Sequence, residues 1–89
     1  MKAVISVLGK DRVGIIARVS GYLADQQVNI LDISQTILQD YFVMIMLVEP
    51  LSENPDLPAL ATRLREVGEE LGVQINLQHE AVFTAMHRV

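Results

Sequence analysis

The chain has 89 residues, no cysteine, 51% hydrophobic residues and a formal charge of −4, which excludes a disulfide scaffold, a thiolate metal site and a disordered polymer. Eleven Asp and Glu outnumber seven Lys and Arg, and the basic residues occur only in local pairs such as Lys10/Arg12 and Arg63/Arg65. Direct nucleic-acid binding relies on basic clusters and is therefore not expected.

A chain of this length suits one domain over residues 1–89. Such a domain buries only about 60–65% of its extended-chain surface and gains from a partner. No apolar run approaches the roughly 20 residues of a membrane span. The short Ala3–Leu8 segment is too brief for a signal peptide. The expectation is a soluble, cytoplasmic protein without membrane association.

Lys2–Leu8 is β-branched and apolar and predicts a strand, with Gly9 as the turn after it. Asp11 is a good helix N-cap, and Ile15, Ile16, Val19 and Leu23 follow at helical spacing, so a helix is expected over Arg12–Gln26. Val28–Leu38 predicts a long strand, Gln39-Asp40 a tight reversal and Tyr41–Val48 a third strand. Pro50, Pro55 and Pro58 mark a loop and a helix start. Leu57, Leu60, Leu64, Val67 and Leu71 form that helix's apolar stripe. Gly72 ends the helix, and Gly68 within it costs about 1 kcal/mol against Ala. Val73, Ile75 and Leu77 alternate with polar residues as a fourth strand. Val82, Phe83, Met86 and Val89 in the tail repeat at helical spacing.

This order predicts an α+β fold, a ferredoxin-like βαββαβ sandwich with both main helices on one sheet face and a short C-terminal helix. The third strand is apolar on both faces: Tyr41, Val43, Ile45 and Leu47 on one, Phe42, Met44, Met46 and Val48 on the other. Two helices cover only one face of the sheet. Either the tail or another subunit must cover the second, and a homodimer or higher homo-oligomer is the expectation.

No catalytic residues are expected. Nucleophilic catalysis needs a Ser or Cys beside a base and an orienting group, and Ser6, Ser20, Ser34 and Ser52 sit in no such context. His79, Glu80 and His87 match no metal-ligand spacing, so neither a metal nor a cofactor is expected. Glu66, Glu69 and Glu70 with Arg63 and Arg65 are read as a solvated helix face with intrahelical charge pairs. Gly9–Gly14 is the best site candidate, because a helix start offers free N–H groups to an anion. An anion would rest on the amides of Arg12, Val13 and Gly14, away from the Asp11 carboxylate. Gly14 either lets a ligand approach or permits helix–sheet packing. Asn29 either bonds its own backbone or offers a carbonyl to a ligand ammonium group.

Gly9–Ile15 (GKDRVGI), the helix after it and Val28–Thr36 (VNILDISQT) together resemble an ACT domain over essentially the whole chain, and the ending Phe83–Val89 (FTAMHRV) is similar to the stand-alone UPF0237 family. The chain departs from many ACT turns in having Arg12-Val13 where a Pro often precedes the Gly. The resemblance implies a small-molecule sensor, often for amino acids, assembled through sheet or helix contacts. It implies ligand-binding residues Asp11, Arg12, Val13 and Gly14 from one subunit, with Asn29 and Ile30 across an interface from another. It also implies a regulatory protein partner, direct or through gene regulation, in which case this acidic chain needs a DNA-binding partner. A Val at position 14 is expected to block binding with little loss of fold. The competing readings are a ligand-free assembly module and an enzyme resembling acylphosphatases, whose basic phosphate cradle is missing from the first turn.

Overall fold

A computed structural model describes residues 1–10 and 12–86; Asp11, His87, Arg88 and Val89 lie outside the described residues, and with them the Asp11 part of the expected site. The elements run β1 (Ala3–Lys10), α1 (Ile15–Asp25), β2 (Val28–Leu38), β3 (Tyr41–Pro50), α2 (Leu57–Leu71), β4 (Val73–His79) and α3 (Glu80–Met86). The sheet has the strand order β2-β3-β1-β4, with every neighbouring pair antiparallel. This is the ferredoxin-like arrangement with a short C-terminal helix.

The core lies between the sheet and α1/α2. Ile5 and Val7 of β1 and Met44, Met46 and Val48 of β3 meet Ile15, Val19 and Leu23 of α1 and Leu64 of α2, all of them 0–1% exposed. Alternation along each strand sets this face, as a period of two requires. Asp56 caps α2, its side chain accepting from the Ala59 N–H at 3.0 Å. Gly72, with a φ of 73°, closes that helix in the left-handed conformation. The β2–β3 reversal is two residues long, since Leu38 faces Tyr41, and Gln39 takes the positive φ of 58° that a Gly more often supplies.

Three expectations change. Gly9 is not a turn residue: it lies inside β1, opposite Phe42 and Val73, where a Cβ would stand 2.6 Å from Val73 Cγ1. The strand needs a bare backbone there to pass Val73. Helix α1 begins at Ile15 rather than Arg12, and its N-cap is Gly14, not Asp11. Gly68 is buried against β4, and a Cβ on it would meet the Val73 carbonyl oxygen at 2.6 Å. It is a packing requirement of α2 rather than a weak point.

The face away from the helices is only partly covered. α3 packs on β4 and β1, and Glu80 donates its N–H to the Lys2 carbonyl at 3.1 Å. On this face Val4 is buried, while Leu8, Leu38, Tyr41 and Ile45 are 47%, 67%, 50% and 40% exposed. The doubly apolar third strand thus leaves one side buried and the other largely open.

Candidate functional site

β1 and α1 meet at one end of the sheet, where Lys10 lies opposite Tyr41. The chain reverses through Arg12–Gly14, and Gly14 enters α1 with φ 93° and ψ 0°. Such a φ is costly for any residue with a Cβ. Around the position where a Cβ would stand on Gly14, nothing lies within 4 Å among the described residues. The helix–sheet packing reading of Gly14 therefore fails, and the space before it is open. A Val there is strained by the backbone itself, so the expectation of an undisturbed fold is also corrected.

No side chain caps α1 among the described residues, and its first turn carries no acidic residue. No described side chain takes up its leading N–H groups, which stand at the positive end of the helix dipole. Val13 beside them is fully exposed. Arg12 points elsewhere: its Nη1 donates to the Leu71 carbonyl at 2.8 Å and ties the turn to the C-terminus of α2.

Asn29 and Ile30 lie far from this turn within the chain. Asn29 faces Glu49 near the end of β3, whereas Lys10 faces Tyr41 at its start. Eight residues of strand separate these positions, about 27 Å at the usual rise. Asn29 is exposed, and its side chain makes no hydrogen bond among the described residues, so it does not bond its own backbone. Ile30 is half-buried against the core. Just after it Leu31 is the extra residue of a β-bulge, between the pairs Ile30/Val48 and Asp32/Leu47.

Other polar groups serve structure. Arg18 of α1 pairs with Glu70 of α2 at 2.9 Å, so this charge pair bridges helices instead of lying within one. His79 Nδ1 accepts from the Ala81 N–H at 3.0 Å, at the start of α3. No cluster of three or more His, Asp or Glu that could hold a metal occurs among the described residues. Among the described residues no helix is long and apolar enough to cross a membrane.

A second concavity, which the sequence did not single out, lies at the other end of α1. It has a volume of about 350 Å³ and opens between the C-terminus of α1, the Ser52–Asp56 loop and the first turns of α2. Its residues come from separated segments, so no local motif marks it.

Residues 2–78 match the ACT domain family model. A UPF0237 protein of Clostridium acetobutylicum is 53% identical over 89 residues, covering 100% of both chains. The chain is an ACT domain of the UPF0237 family. An ACT domain protein from Streptococcus pneumoniae superposes with a TM-score of 0.85 at 46% identity, covering 98% of each chain. The same fold recurs within a larger protein, a formyltetrahydrofolate deformylase from Pseudomonas syringae, with a TM-score of 0.76 and 25% identity over 88% of this chain and 27% of that one. ACT domains are regulatory ligand-binding modules.

Proposed function

We propose that this ACT domain binds a free amino acid at a seam between two copies of itself and acts through assembly or contact with a regulated protein, without catalysing a reaction. The observation that supports this best is the start of α1, which is uncapped among the described residues and has open space before Gly14. An amino-acid carboxylate suits those N–H groups. The Asn29 side-chain carbonyl suits the ammonium group.

The two groups sit at opposite ends of one copy, so the reading requires a second. β2 is an edge strand, and its outer rim pairs with no other strand among the described residues. An antiparallel two-fold pairing of β2 about Ile33 would bring Asn29 of one copy to the end of β2 that carries Ile37 in the other. Ile37 shares a surface depression with Lys10, at the end of the sheet that carries Gly14. Such a pairing would bring Asn29 of one copy to the same end of the sheet as Gly14 of the other.

The test is a thermal-shift screen over the twenty amino acids, followed by sedimentation with any that stabilise. At least one should raise the melting temperature at millimolar concentration and increase the dimer fraction. If none does, the ligand-free assembly reading takes its place, which the exposed row of Leu8, Leu38, Tyr41 and Ile45 favours on its own.

A further inference from the structure

The cleft at the far end of α1 has the composition of a small-molecule site. Val28 and Pro50, both buried, make its floor, and Leu60 forms an apolar wall. Gln27, at a φ of 56°, fixes one rim: its N–H bonds the Ala24 carbonyl at 3.0 Å, and its carbonyl accepts from the Leu51 N–H at 3.1 Å. The volume of about 350 Å³ lies within the range usual for small-molecule sites.

Among the described residues, Arg63 is the one cation lining this cleft. It makes no ion pair or hydrogen bond among the described residues, whereas Arg18 holds Glu70, Arg12 holds the Leu71 carbonyl and Arg65 bonds Thr62. Tyr22 stands beside it, half-buried. Burial raises the Tyr22 hydroxyl above its ordinary value; the positive charge of Arg63 pulls the other way, the Glu66 carboxylate raises it further, and Arg18 lowers it. The hydroxyl is thus a protonated donor at neutral pH. A guanidinium and a phenol side by side over an apolar floor match one carboxylate with a hydrocarbon body. Phosphate fits less well, because it carries more charge than one Arg balances and Asp56 lines the same cleft.

We propose that this cleft is a second binding site, for a small monocarboxylate with an apolar body, in which Arg63 and Tyr22 hold the carboxylate and Val28, Pro50 and Leu60 receive the hydrocarbon. It lies at the opposite end of the copy from Gly14, beside Asn29, and is complete within one copy.

The experiment is an amide-resolved NMR titration of the whole chain with 4-methylpentanoate, its uncharged amide and inorganic phosphate. With the carboxylate, shifts should cluster at Tyr22, Val28, Leu60 and Arg63. The amide should bind at least about tenfold more weakly, as loss of a charge-assisted contact requires. Arg63→Gln should weaken the carboxylate to a similar extent, and Tyr22→Phe by less, with both variants keeping the wild-type dispersion of signals. Absence of cleft shifts at millimolar carboxylate, equal binding of the amide or of phosphate, or unchanged affinity in Arg63→Gln would each overturn the proposal. Shifts confined to Arg12–Gly14 would overturn it too while favouring the seam site, so the two readings fail separately.

Discussion

Alanine at the two helical glycines, Gly21 and Gly68, is expected to move stability in opposite directions. Gly21 is exposed on α1, and a Cβ there meets nothing within 4 Å among the described residues. Gly21→Ala should gain the full helix-propensity difference, about 0.8–1.0 kcal/mol. Gly68 would gain the same propensity, but its Cβ would stand 2.6 Å from the Val73 carbonyl oxygen and 3.1 Å from Ile75 Cγ1. The obstructing oxygen is backbone, in the strand that pairs with β1 through Gly9. Neither side can yield without moving α2 or β4. Overpacking against backbone belongs near the upper part of its range, about 2–3 kcal/mol, which leaves a net loss of about 1–2 kcal/mol. For a domain of this size, Gly21→Ala should melt about 4–8 °C higher and Gly68→Ala about 5–15 °C lower. Thermal and urea unfolding at one fixed protein concentration measure both. A Gly68→Ala variant that melts at or above the wild type would refute the close approach of α2 to β4.

Ile45→Asp places a charge in the middle of the open sheet face, where Ile45 is 40% exposed. If that face contacts another subunit, sedimentation should shift toward monomer with unchanged circular dichroism; an unchanged profile rejects the contact. Gly14→Val should lower stability by about 1–2 kcal/mol through its left-handed φ alone, and Gly14→Asn by less, as urea midpoints would show. Asp56→Ala removes the α2 cap and should cost about 1 kcal/mol, while Asp56→Asn keeps most of it. Equal losses in these two variants would mean that the hydrogen bond to Ala59 is not what caps the helix.

Periodicity made most of the fold legible. Val28–Leu38 alternates weakly but is rich in β-branched residues and bounded by polar turns, and β2 has those bounds. The stripe from Leu57 to Leu71 and the Gly72 stop delimit α2 to the residue. What was hidden depends on neighbours brought in from elsewhere in the chain. Gly9 looks like a turn from its flanks, yet the side chain of Val73 is what requires a glycine there. Arg12 looks like a site residue from its motif, yet its guanidinium finds a carbonyl at the end of α2. Tyr22 and Arg63 carried no signal, because each reads as an ordinary outer helix position until the helices pack. The turn at Arg12–Gly14 was recognisable as a place. That Asn29 lies at the opposite end of the same copy was not, since distance along a sheet depends on register.

A site divided between two copies ties ligand binding to assembly. Ligand that binds only the paired state stabilises it by RT ln(1 + [L]/Kd), about 2.7 kcal/mol per site at a hundredfold excess over Kd. That corresponds to about a hundredfold in the association constant for each of the two sites of a symmetric pair. Reciprocity then requires association to favour ligand binding in turn. Calorimetry at two protein concentrations, one on each side of the dimer midpoint, should therefore show tighter apparent binding in the concentrated sample. Dilution should release ligand even where free ligand is held constant. A pocket formed entirely within one copy behaves differently: its affinity is independent of protein concentration. Concentration-independent binding that Asn29→Ala nonetheless weakens would place Asn29 in a site complete within one copy, and the seam reading would fail on that result.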